Sequence, residues 1–103
     1  MKSIKIFCKE YRDVINGNSY MSCQIHIEGY ILYVPFQYGY GTHYLNVCAQ
    51  KICSHFSLSE DLHIFSRLQG KLEPEGWSIE YEKQTNCKIK EVKEFGIRQI
   101  VKL

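Results

Sequence analysis

His43, Cys48, Cys53 and His55 fall within thirteen residues of a 103-residue chain, and thiolates beside imidazoles are the ligands zinc prefers. Their spacing argues against a shared ion. On a helix Cys48 and Cys53 lie about 140° apart, and the chain holds no Cys-x-x-Cys or His-x-x-x-His pair. No metal and no other cofactor is expected. The five cysteines, Cys8, Cys23, Cys48, Cys53 and Cys87, are odd in number and scattered, which suits reduced, buried thiols better than a secreted disulfide framework. None sits in a recognisable nucleophile turn with an oriented base. Glu80 and Glu82 share one face of a strand, where they read as solubilising charge rather than a carboxylate pair for acid-base chemistry. The chain is therefore expected not to be an enzyme.

Binding chemistry is better represented. Seven of the eight tyrosines, Tyr11, Tyr20, Tyr30, Tyr33, Tyr38, Tyr40 and Tyr44, fall within residues 11 to 44. Tyrosine offers rigid area with a polar tip, which suits protein interfaces and the stacking of single-stranded bases. The segment PFQYGYGTHYL, residues 35 to 45, gathers aromatic rings beside Gly39 and Gly41. Candidate contact residues are Tyr38, Tyr40 and His43, shaped by Gly39 and Gly41, with Tyr20 and Tyr33 on nearby strand positions. The Gly-x-Gly-Thr turn at a helix start also resembles an anion site, but no lysine follows it as in a nucleotide-binding loop. A turn that simply needs glycine is the plainer reading.

Formal charge is only +2, unevenly spread. Residues 1 to 56 carry +2, residues 57 to 82 carry −4 and residues 83 to 103 carry +4. Lys88, Lys90, Lys93 and Arg98 of the basic end are candidates for electrostatic steering or phosphate contact. An ordinary solvated surface gives the same pattern.

The elements that must position these residues follow from periodicity. Residues 3 to 12, SYMSCQIHI and YILYVPF predict three strands, joined by Asn16-Gly17-Asn18 and Glu28-Gly29 in an antiparallel meander. Pro35 places its strand at an edge or an end. Thr42 is an expected N-cap for a helix over residues 43 to 55. Ser57-Leu58-Ser59-Glu60 has the form of a capping box for a second helix, roughly 58 to 69, stopped by Gly70. Residues 71 to 76 read as a loop, Trp77 to Glu82 as a strand, and Cys87 to Ile89 as another. Residues 91 to 103 stay open: Ile97, Ile100 and Val101 suit either a strand or a short helix. The expected fold is a single α+β domain over residues 1 to 103, an antiparallel sheet in the order βββ, two short helices, then ββ.

No run approaches the roughly 18 apolar residues of a membrane span, so no membrane contact is expected. The N-terminus MKSIKIFCKEYRD lacks the apolar block of a secretion leader, which implies a cytoplasmic protein.

IKIFCKEYRD, Asn16-Gly17-Asn18-Ser19-Tyr20 and Pro35-Phe36-Gln37-Tyr38-Gly39-Tyr40-Gly41 together resemble small uncharacterised proteins encoded by bacteriophages and prophages. The resemblance covers the first half of the chain. It implies a phage context, and the chain is similar in kind to anti-CRISPR proteins, those acting on RNA-targeting type VI effectors among them. On that resemblance the expected partner is a host protein or ribonucleoprotein effector, with RNA contact open. The alternative is a small RNA- or single-stranded-DNA-binding module that uses the exposed tyrosines and the basic C-terminal segment. Oligomeric state is left open by the sequence.

Overall fold

The computed structural model describes residues 2 to 97. β1 (Ser3–Asp13), β2 (Asn18–Ile27) and β3 (Tyr30–Tyr38) form the expected antiparallel meander. Glu28 and Gly29, with φ of 40° and 81°, make the two-residue loop whose twist suits a hairpin. Alternation then sorts the side chains. Ile4, Ile6, Cys8, Met21, Cys23, Ile25, Ile27, Leu32 and Val34 are buried on one face of the sheet. α1 (His43–Phe56), a short 3-10 turn (Glu60–His63) and α2 (Phe65–Leu72) cover that face with Leu45, Cys48, Ile52, Leu62, Phe65 and Leu68.

The α+β class stands, with differences in detail. The second helix begins later than its capping box suggests. Ser57 is instead the left-handed residue that ends α1, at φ 54°. Ile64 is extended, separating the 3-10 turn from α2, and Gly70 lies inside α2, which continues to Leu72. Thr42 occupies the N-cap position of α1, but its hydroxyl caps nothing. A short 3-10 turn (Glu73–Glu75) follows α2.

β4 (Ser78–Gln84) pairs with β1 in parallel, so the sheet is mixed and ordered β3-β2-β1-β4. The reason is the connection: a helical crossover returns the chain in the direction of β3, which is also that of β1. Among the described residues the strand expected over Cys87 to Ile89 is absent. Residues Ile89–Phe95 form a helix, α3, which lies on the opposite face of the sheet. Val92 is fully buried there beside Ser22, whose hydroxyl donates to the Val92 carbonyl. Gln24 Nε2 donates to the Phe95 carbonyl at 3.0 Å. Ile100, Val101 and the rest of residues 98 to 103 lie outside the described residues.

Pro35 sits on an edge strand, as its missing amide requires, opposite the register shift between Met21 and Cys23. No helix among the described residues is long and apolar enough to cross a membrane.

Candidate partner-binding surface

Strand register, which the sequence does not reveal, gathers the tyrosines at one end of the sheet. Tyr11 pairs with Tyr20, and Tyr20 with Tyr38, so the three share a face. Tyr20 is stacked between Tyr11, at 6.5 Å and 24°, and Phe36, at 5.2 Å and 11°. Tyr38 meets Tyr20 edge-on at 6.0 Å, and Tyr40 meets Tyr38 edge-on at 6.0 Å. The outer two rings are open to solvent, with Tyr38 55% and Tyr40 65% exposed. Tyr38, Gly39, Tyr40 and His43 line a cleft of about 410 Å³.

The corner that presents these rings is fixed from below. The Gly39 amide donates to the Ser19 carbonyl at 3.1 Å, continuing the β2 pairing. A Cβ on Gly39 would lie 3.2 Å from His43 Cδ2 and 3.3 Å from Met21 Cγ, so glycine lets the corner sit close to the sheet. Gly41 has φ +62°, the left-handed turn into α1. Lys83 Nζ donates to the Gly41 carbonyl at 2.9 Å and to Glu10 Oε2 at 3.0 Å, and lies 5.8 Å from the centre of the Tyr44 ring. Tyr44 itself turns inward: burial pushes its phenol up to about 12.

Lys83 therefore clamps the corner to β1 and β4, with side chains only 21% (Lys83) and 14% (Glu10) exposed. Lys83→Met is expected to cost about 1.5 kcal/mol, because it strands the Glu10 carboxylate as well as freeing the corner. Urea unfolding measures it; an unchanged midpoint would show that the clamp contributes nothing.

The anion-site reading finds little support in the turn. The His43 amide donates to the Tyr40 carbonyl (3.3 Å) and the Leu45 amide to the Thr42 carbonyl (3.0 Å), while the Gly41 carbonyl faces the Lys83 cation.

The remaining candidates are dispersed. Tyr33 pairs with Gln24, away from the corner, and is half-buried. Lys93 Nζ lies 5.3 Å from the centre of the Phe36 ring, at the border of the tyrosine cluster. Lys88 precedes α3 and is brought near the same end by the Cys87 amide, which donates to the Glu10 carbonyl at 3.0 Å. Lys90 instead reaches Glu94 at 4.0 Å. Arg98 lies outside the described residues.

The thiols are packed rather than poised. Cys8 and Cys23 are cross-strand neighbours; contact with Cys23 and then burial raise the Cys8 thiol, and contact with Cys48 and burial raise the Cys23 thiol, both far above their ordinary range. Burial also raises Cys53 and Cys87. These four stay protonated at neutral pH, which is unfavourable for nucleophilic attack. Among the described residues no group of three or more His, Cys, Asp or Glu is placed to hold a metal ion.

Sequence reasoning missed the β1–β2 hairpin tip. Val14 is 79% and Ile15 91% exposed. Asp13 Oδ1 accepts from the Ile15 and Asn16 amides at 3.1 and 3.3 Å, and Oδ2 accepts from Asn16 Nδ2 at 2.8 Å. The available signal was an apolar pair held between Asp13 and Asn16-Gly17, where turns are ordinarily polar. The Asn16 side chain, with the two amides, holds the Asp13 carboxyl below its usual 3.8. A depressed folded value stabilises the tip above pH 3.8 and loses that effect as pH falls through the lower folded value. In an NMR acid titration the Ile15 and Asn16 amides should shift with a midpoint below 3.8. A midpoint at or above 3.8 would contradict these bonds.

No protein-family model matches the chain, and no curated protein and no solved structure is significantly similar to it.

Proposed function

We propose that the chain is a non-enzymatic binding protein, a phage-type inhibitor that docks its tyrosine-rich end onto a host protein or ribonucleoprotein effector. The observation that carries this reading is the pair of exposed, mutually perpendicular rings, Tyr38 and Tyr40, on a corner clamped by Gly39, Gly41 and Lys83. Large rigid rings presented by an ordered backbone lose little entropy on binding, which is what makes tyrosine an anchor at interfaces. The kind of effector is drawn from the resemblance to phage proteins: an RNA-targeting CRISPR-Cas complex in the host cytoplasm.

Direct binding of RNA or single-stranded DNA is the second reading, favoured by Lys93 beside Phe36 and by Lys88 at the same end. Base stacking needs a free ring face. Tyr20 offers none, being covered by Tyr11 and Phe36, and Tyr38 and Tyr40 stand at 80° to each other rather than as a parallel platform. The geometry therefore favours a protein surface.

The test is a tagged pull-down from host lysate, with and without nuclease. A protein effector retained after nuclease supports inhibition by direct contact, and loss of that effector's activity on adding the chain completes it. Nucleic acid recovered without a protein partner overturns the reading in favour of the second.

A further inference from the structure

We infer that the outer edge of β3 is a self-association surface: two copies of this chain pair residues 30 to 34 antiparallel across a two-fold axis at Leu32, joining their four-stranded sheets edge to edge. The inference is independent of the proposed function.

The two edges of the sheet differ. β4 carries Glu80, Glu82 and Lys83, the kind of charge that keeps an edge from pairing. β3, YILYVPFQY, carries no charge at all. Among the described residues nothing pairs with its outer side. The hairpin fixes which of its backbone groups are left over. Ile27 and Tyr30 flank the two-residue loop of Glu28 and Gly29, so they form a hydrogen-bonded pair, and Leu32 and Val34 repeat that pairing against Ile25 and Cys23. The amides and carbonyls of Ile31 and Tyr33 therefore point away from the sheet. Pro35, the next outward position, has no amide to offer.

A second copy fits this edge in one register. Pairing Ile31 with Tyr33 of the second copy, and Tyr33 with its Ile31, lets each pair exchange both hydrogen bonds, so all the outward amides are used. A shift of two residues brings in Pro35, which cannot donate, or Gly29, whose φ of 81° is not that of a strand. Side chains agree with the backbone. On the outer face Ile31, 47% exposed, lies against Tyr33 of the second copy, an aromatic and β-branched pair. On the core face Tyr30 lies opposite Val34 of the second copy. The Tyr30 ring is 54% exposed beside His55 and Phe56, while Val34, Pro35, Val47 and Lys51 help to line an open groove of about 290 Å³. Each ring thus meets the groove of the other copy, where the walls are largely apolar and the one cation, Lys51, suits a ring face. The same short segment supplies ring and groove, donors and acceptors, which is the self-complementarity a two-fold interface requires. Tyr38 lies six residues from Leu32, about 20 Å, so both tyrosine corners stay open at opposite ends of the joined sheet.

The test is sedimentation equilibrium of the full chain between about 5 µM and about 1 mM, with amide hydrogen exchange followed by NMR. Expected is a dimer in which the Ile31 and Tyr33 amides are protected, and a monomer, reached by dilution or by Ile31→Lys, in which both exchange freely. Ile31→Lys sets a charge on the edge at an exposed position, and should weaken dimerisation about 30-fold or more at unchanged Tm. Tyr30→Ala should weaken it as well, and Tyr38→Ala should leave it unaltered. A chain that is monomeric at about 1 mM overturns the inference. So does a dimer indifferent to both Ile31→Lys and Tyr30→Ala, which must be built on another surface. Protection of both amides in the monomer assigns the edge to another segment of this chain and overturns it too. Each of these results leaves the proposed function standing.

Discussion

Gly96→Ala is expected to lift α3 from the sheet and to lower stability by about 3 kcal/mol, a fall in Tm of more than about 10 °C in a domain of this size. The Cβ would lie 2.5 Å from the Val34 carbonyl oxygen, 2.8 Å from Ser22 Cβ and 3.0 Å from Pro35 Cα. Two of these three are backbone atoms of a strand paired to β2, so no side chain can swing aside to make room. With φ at −89° the glycine is not needed for a left-handed turn, and the effect is purely steric. Relief requires the end of α3 to move outward, and the interactions there are few. Val92 is the one fully buried side chain in α3, Ser22 and Gln24 supply hydrogen bonds to its backbone, and Lys9 of β1 pairs with Glu91 at 3.1 Å. A displaced helix would leave the buried Ser22 hydroxyl without the Val92 carbonyl, adding a desolvation cost to the lost packing. Thermal melting gives the magnitude, and hydrogen exchange at the Val92 amide, bonded to the Lys88 carbonyl at 3.1 Å, locates it. Wild-type melting and exchange in the variant would show that α3 does not seat against Val34.

The contrast between β2 and α3 shows what the sequence made legible. β2 alternates over ten residues and is bounded by glycine turns, so its face and its hairpin neighbours follow from local pattern alone. α3 spans seven residues and buries one of them deeply, too little periodicity to separate from the end of a strand. Direction fails for a different reason. Alternation in β4 states which side chains face inward, but its pairing with β1 joins residues about 75 positions apart, and only the crossover sets it parallel. At α2 the amide of Phe65 is capped by Asn46 Oδ1, 2.9 Å away on α1, so the start of that helix is set by a tertiary contact. Ser57-x-x-Glu60 has the letters of a local cap, but the end of α1 takes Ser57 first.

The site divides in the same way. Tyr38, Gly39, Tyr40, Gly41 and His43 are adjacent in sequence and remain together in space. Register was needed to add Tyr11 and Phe36 around Tyr20, and to remove Tyr33. Lys83, forty-two residues from Gly41, was legible only as one of six basic residues in its segment. Val14 and Ile15 were obscured because an apolar pair beside a strand reads as its continuation rather than as an exposed tip.

Tyr38→Ala combined with Tyr40→Ala should reduce affinity for the captured effector about 1000-fold or more while the domain melts within a few degrees of the wild type. Two anchor residues at about 2 kcal/mol each give that factor. Stability is spared because both rings stand outside the core, each meeting its neighbour edge-on at 6.0 Å, and the backbone of the corner is held by Gly39, Gly41 and Lys83 rather than by the rings. Tyr20→Ala makes the necessary comparison. Its ring is stacked between Tyr11 and Phe36, so truncation opens a gap between three strands and should cost about 1 to 2 kcal/mol in folding before any effect on binding. Calorimetry against the effector and thermal melting of each variant separate the two roles. A double variant that binds normally would remove the corner from the interface. One that loses cooperative melting would place Tyr38 and Tyr40 with Tyr20, as rings that build the end of the sheet rather than present it to a partner.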